Sequence, residues 1–174
     1  FEALTHAAFQ VGSIITTTGF ATTDFNLWPE ASKGILLLLM FIGACAGSTG
    51  GGIKVSRCVI LAKTIRKEFH SYLHPRSVKK IQMDEKPIDH DVIRSINVYC
   101  ITFVILFCLS VWLISLEGYD FLTNFSAVAA TINNIGPGLN LVGPTANFGF
   151  FSGFSKYVLM FDMLAGRLEL FPLL

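Results

Sequence analysis

Apolar runs of three kinds alternate along the chain, and their lengths decide what each can be. Residues 95–116 carry no charge at 22 consecutive positions, between Arg94 and Glu117. That is the length of a helix that crosses a bilayer once. Two runs, 1–16 and 121–131, are too short for a crossing. Each predicts a helix that enters the membrane and stops, although on its own each also fits an amphipathic core helix. A third run is interrupted. Residues 34–46 are apolar and then meet Gly47-Ser48-Thr49-Gly50-Gly51-Gly52, where four glycines in six disfavour a continuous helix. A helix resumes over 53–74, increasingly basic, and Pro75 ends it. Residues 150–174 predict a further membrane helix carrying Lys156, Asp162, Arg167 and Glu169.

Both short runs end in a loop of the same type. The first leads into Thr16-Thr17-Thr18-Gly19-Phe20 and the second into Asn133-Asn134-Ile135-Gly136-Pro137-Gly138. A glycine stands where the backbone must take dihedrals that are costly for other residues. Aligning Gly19 on Gly136 gives an offset of 117, which also pairs Thr17 with Asn134, Thr18 with Ile135 and Gly50 with Arg167. The repeat lies in the pattern of elements and not in residue identity. Short helix, glycine loop and membrane helix occur at 1–52 and again at 119–174. The expected fold is all-α and transmembrane, built of repeated helix–loop–helix units.

Neither loop contains an acid. Backbone carbonyls of Thr17-Thr18-Gly19-Phe20, and of the second loop in its matched position, would suit a monovalent cation that must bind and leave easily. Plain helix caps are the alternative. Irregular backbone at membrane depth is tolerated where protein or a water-filled cavity covers it, so Gly47 to Gly52 predicts a plug or gate. The alternative there is a kink that lets helices pack closely. Lys54 is separated from Gly52 by Ile53, which breaks the phosphate-loop pattern. Arg167 lies in an apolar helix, where charge is expensive and usually functional. It would anchor the glycine segment by donating to its carbonyls, pair with Asp162 or Glu169, or stand near the cytoplasmic end of its helix.

Composition and charge set the location. The hydrophobic share is 52% and only 14% of residues are charged, against about a quarter in soluble domains; mean hydropathy is +0.59. Of 13 Lys and Arg, ten lie between 54 and 94 (Lys54, Arg57, Lys63, Arg66, Lys67, Arg76, Lys79, Lys80, Lys86 and Arg94). Positive loops stay in the cytoplasm, so both glycine loops fall toward the outside. The net charge of +1 gives no sign of nucleic-acid binding. Cys45, Cys58, Cys100 and Cys108 have no metal-site spacing and fit small apolar fillers. His70 and His74 are four apart but lack a partner ligand nearby, and nothing suggests a nucleophile, so no enzyme is expected. The chain opens without a methionine and ends apolar, as an internal piece of a longer protein would.

Taken in order, the Thr16–Phe20 run with Asp24-Phe25 and Trp28-Pro29, then Gly47 to Lys54, Asn133 to Gly138 and Gly166-Arg167-Leu168-Glu169 resemble the Trk/Ktr potassium-uptake family, in particular the C-terminal half of its TrkH-type membrane subunit. The resemblance covers essentially the whole chain. It implies four helix–pore loop–helix units around one ion pore, with the third and fourth here: 1–75 as the pore helix, filter loop and broken second helix of the third, 76–90 as a cytoplasmic linker, and 91–174 as the fourth. It implies filter carbonyls from Thr17, Thr18, Asn134 and Ile135, a gate at Gly47 to Gly52 with Arg167 beside it, and no cofactor, with K+ as the cargo. It further implies a multi-pass place in a bacterial cytoplasmic membrane, a homodimer, and a cytoplasmic nucleotide-binding regulatory subunit, TrkA-like, near the basic residues of 54–80. Asp162 departs from the apolar residue expected there. A non-conducting membrane scaffold with re-entrant loops is the alternative function.

Overall fold

The computed structural model describes residues 1–43, 45, 47–48, 50–74, 81–83 and 86–168. Six α-helices carry the architecture: α1 (Glu2–Ile15), α2 (Glu30–Phe41), α3 (Val55–Leu73), α4 (His90–Ser115), α5 (Phe121–Ile132) and α6 (Gly153–Arg167). Two pairs of two-residue strands add to them, β1 (Ile42–Gly43) parallel to β2 (Ile53–Lys54) and β3 (Gln82–Met83) antiparallel to β4 (Lys86–Pro87). Residues 75–80, 84–85 and 169–174, with Ala44, Ala46 and Thr49, lie outside the described residues. Residues 76–80 and 84–85 of the expected 76–90 linker, the expected Glu169 partner of Arg167 and the last part of the final helix fall there.

Capping explains where several helices start. Asp120 accepts from the Leu122 N–H to open α5, and Ser152 accepts from the Ser155 N–H to open α6. Pro29 precedes α2, where its fixed φ suits a helix entry. The end of α2 departs from the sequence expectation. The apolar run was expected to hold to Ala46, but the helix stops at Phe41. Ile42 and Gly43 leave it to pair with Ile53 and Lys54 on the far side of the glycine segment. Gly43 sits so close to the Gly51 carbonyl that a side chain there would overlap it. The two ends of the interruption are thus stapled together by strand pairing, which a reading of local apolar content does not see.

Among the described residues, α4 is the one helix long and apolar enough to cross a bilayer. Its 26 residues span about 39 Å at 1.5 Å per residue. Ile101, Ile105 and Trp112 point out of the fold, as a lipid-facing helix surface would. The inside belongs to α5, which buries nine of its residues between α4, α6 and α2. Phe41 of α2, Phe107 of α4 and Phe125 of α5 meet edge to face, with centroids 5.0–6.2 Å apart. Ile14, Phe25, Leu36 and Met40 from the first unit share a buried cluster with Ala129, Ile135 and Leu139 from the second. A common core therefore fixes the two units against each other.

Polar ties reinforce that junction at the loops. Asn26 Nδ2 donates to the Asn140 carbonyl at 3.2 Å and the Asn140 N–H donates to Asn26 Oδ1 at 3.0 Å. Within the second unit, Glu117 follows α4 and reaches the start of α6. It accepts from the Ser152 N–H at 3.2 Å and from the Ser152 and Ser155 hydroxyls. Partial burial alone would raise its pKa; the bonds from Ser152 and Ser155, with Lys156 nearby, outweigh that and hold the carboxyl below the ordinary glutamate value. Asp162, unexplained by the sequence pattern, is fully buried and accepts from Ser110 Oγ of α4 at 2.7 Å.

Candidate functional site

The ends of α1 and α5 repeat each other bond for bond. The Thr17 N–H donates to the Ile14 carbonyl at 3.1 Å and the Thr18 N–H to Ser13 at 2.9 Å; 117 residues on, Asn134 donates to Thr131 at 3.0 Å and Ile135 to Ala130 at 2.9 Å. This is the Schellman closure, in which the residue after the helix turns left-handed and the chain folds its own N–H groups onto the last carbonyls. Thr17 has φ 56° and Asn134 φ 55°. A β-branched residue is uncommon there, so the fold must impose the turn at Thr17. Two positions later, Gly19 at φ 78° and Gly136 at φ 106° turn left-handed again. A left-handed residue at every second position reorients successive carbonyls away from a helix axis or a strand edge.

Side chains hold each loop in its own way. Thr16 Oγ1 donates to the Gly12 carbonyl at 2.7 Å and lies 2.7 Å from Thr18 Oγ1. Ser13 Oγ donates to the Phe20 carbonyl at 2.6 Å. In the second loop Asn133 Nδ2 donates back to Ala129 at 2.8 Å, and Asn134 Nδ2 to the Met163 carbonyl of α6 at 3.1 Å.

The two loops touch. A Cβ added to Gly19 would overlap the Ile135 carbonyl oxygen and stand 3.3 Å from Pro137 Cδ. Thr17, Thr18, Asn134, Ile135 and Gly136 line a single cavity of about 620 Å³, so five of the six filter positions expected from the sequence share one wall. Both helices point their C-termini, the negative end of the helix dipole, toward these loops. Lys156, Met160 and Met163 of α6 line the same cavity, and Lys156 Nζ donates to the Gly149 carbonyl at 2.8 Å. Sequence reading did not assign these three to the site. Their i, i+4, i+7 spacing would have placed them on one helix face.

The glycine segment sits behind this wall. Gly47 and Gly52 are left-handed, with φ 80° and 79°. The Gly50 N–H donates to Ser48 Oγ at 3.1 Å, and Gly51 packs against the backbone of Asn133. Thr49, expected as part of the gate, lies outside the described residues. Arg167 is the exposed last residue of α6, where its charge complements the helix dipole. Its neighbour Gly166 is packed so tightly that a Cβ would overlap the Ile132 carbonyl and stand 3.0 Å from Asn134 Nδ2.

The family described as TrkH, cation transport protein, matches residues 2–174. The chain belongs to this family. As a member of the TrkH family it is 41% identical over 174 residues to the Trk system potassium uptake protein TrkH of Vibrio parahaemolyticus, covering 100% of this chain and 36% of that protein. It is 37% identical over 171 residues to the protein of the same name from Escherichia coli (strain K12), covering 98% of this chain and 35% of the other. The crystal structure of the potassium transporter TrkH from Vibrio parahaemolyticus superposes with a TM-score of 0.89 at 40% identity, over 99% of this chain and 36% of that one. The chain thus spans about a third of the length of the curated relatives it matches. Its resemblance to the Trk family and its largely helical fold agree with these relatives.

Proposed function

We propose that the chain supplies the third and fourth of four helix–pore loop–helix units in a protein that takes up potassium across a bacterial cytoplasmic membrane. Carbonyls of Thr17, Thr18, Asn134 and Ile135 replace water around the ion, with Gly19 and Gly136 turning them inward. Gly47 to Gly52 forms the gate, and Arg167 ends the helix beside it. K+ is cargo, and the chain uses no cofactor and is no enzyme. The whole protein works as a homodimer in lipid, with a TrkA-like nucleotide-binding subunit against the basic residues of 54–80.

One observation carries this reading: two left-handed bends, 117 residues apart and closed by the same hydrogen bonds, meet at Gly19 and Ile135 beside one cavity. The family's cation transport description and the relatives named for potassium uptake support the choice of ion. Chemistry separates carbonyl ligands from carboxylates here: neutral oxygens hold a monovalent cation loosely enough to pass it on. The test is uptake of rubidium, a potassium surrogate, into vesicles holding the full-length protein. Uptake that potassium competes away and sodium does not is expected. No flux from a folded full-length protein would leave the non-conducting scaffold as the better reading.

A further inference from the structure

Gly51 and Gly52 lie against Asn133, which opens the second loop's Asn133–Gly138 run but is not one of the expected carbonyl ligands. A Cβ at Gly51 would overlap the Asn133 carbonyl oxygen, 2.6 Å from its carbon and 3.2 Å from the Asn134 Cβ. A Cβ at Gly52 would stand 3.0 Å from Asn133 Oδ1. Asn133 is fully buried. Its Nδ2 is committed to Ala129, while Oδ1 is shut away from water and accepts no hydrogen bond among the described residues. On the other side of the same stretch, Gly166 presses on the Ile132 carbonyl and Met163 holds the Asn134 side chain. Residues 132–134 are therefore clamped between the glycine segment and α6, and they run directly into the carbonyls of Asn134 and Ile135.

We propose that Asn133 is a positioning residue through which the glycine segment sets the geometry, and so the ion selectivity, of the loop at 134–136. This rests on reading 134–136 as filter and 47–52 as gate. The segment is then one wall of the mould that holds the filter carbonyls in place. A shift of Gly51 moves the Asn133 peptide and, one residue on, the first carbonyl that meets the ion. Among the described residues no donor reaches Oδ1, and a buried oxygen without a donor favours any movement that supplies one. Selectivity and gating would then not be independent properties of this protein.

The test uses the full-length protein in vesicles and reads the ratio of rubidium to sodium uptake separately from the rate. Gly51→Ala adds a methyl group against Asn133. Asn133→Ser replaces the amide with a shorter hydroxyl and adds no bulk. Gly47→Ala alters the same segment where an added Cβ meets no described atom within 4 Å. Gly51→Ala and Asn133→Ser are each expected to lower the ratio about tenfold, ~1.4 kcal/mol of discrimination. Gly47→Ala should change the rate for both ions and keep their ratio. The double variant should lose less than the product of the two single losses, since both act at one contact. An unchanged ratio in Asn133→Ser and Gly51→Ala beside an altered rate would overturn the coupling and leave the filter standing. A ratio that falls equally in Gly47→Ala would overturn it too. A wild-type protein that passes neither ion would instead sink the filter reading itself. Should Gly51→Ala not fold, Asn133→Ser, which removes bulk and adds none, decides.

Discussion

Replacing Gly19 by alanine should damage ion discrimination. Two costs act together. Gly19 sits at φ 78°, a left-handed position where a residue with a Cβ pays about 1–2 kcal/mol. The new methyl also has nowhere to go: it would overlap the Ile135 carbonyl oxygen and stand 3.3 Å from both the Ile135 carbon and Pro137 Cδ. These are backbone atoms and a ring, so no flexible side chain can swing aside. Relief requires the 135 carbonyl to move by on the order of 1 Å, a displacement that in preorganised sites costs about a hundredfold in function. The damage therefore appears in the second loop although the change is made in the first. The assay is sodium competition against rubidium uptake by full-length protein in vesicles, beside Gly34→Ala as the control. An added Cβ at Gly34 meets nothing within 4 Å, and alanine there should stabilise α2 by about 0.5–1 kcal/mol with uptake unchanged. Discrimination is expected to fall about tenfold or more in Gly19→Ala, equivalent to ~1.4 kcal/mol. Equal discrimination in wild type and a folded Gly19→Ala would refute the reasoning that the 135 carbonyl faces the ion.

Ser110→Ala removes the hydroxyl that donates to the buried Asp162 and should lower stability by about 1–3 kcal/mol; Asp162→Asn, which keeps an acceptor for Ser110, should cost less, both read as melting temperature in detergent. Asn26→Ala breaks both hydrogen bonds to Asn140 across the two units and should cost about 0.5–1.5 kcal/mol, because Asn140 is exposed and water can take up its backbone groups; a melting temperature equal to wild type would contradict this. Glu117 has a carboxyl held below its ordinary value. Its contribution to stability is therefore complete above the unfolded glutamate pKa of about 4.3 and lost as pH falls below that through the lowered native value. Glu117→Gln should flatten that part of a melting-temperature profile between pH 6 and pH 3, and an unaltered profile would count against the tie to Ser152 and Ser155.

Local features could be read from the chain before any coordinates. The glycines at 19 and 136, each following a short apolar run, marked two bends, and the uncharged stretch after Arg94 marked α4. What local reading missed depends on residues far apart in sequence. The early end of α2 at Phe41 comes from strand pairing with residues beyond the glycine segment, and neither partner announces the other. The contact of Gly51 with Asn133 joins positions 82 apart; close packing is one of the two readings the glycines allow, but nothing local names the partner. Offset arithmetic paired Gly50 with Arg167, whereas the tight approach to the second loop on α6 is made by Gly166. Asp162 read as an anomaly because its partner, Ser110, is an unremarkable serine in an apolar helix.

The hydroxyl of Ser13, bound to the Phe20 carbonyl, ties the first bend to its own helix. Ala130 occupies the matching place 117 residues later and has no oxygen with which to do the same. The second bend is held instead from outside its own helix, by Asn134 Nδ2 on the Met163 carbonyl of α6. A shift of α6 would thus reach the second bend directly, and the first only through the contact of Gly19 with Ile135.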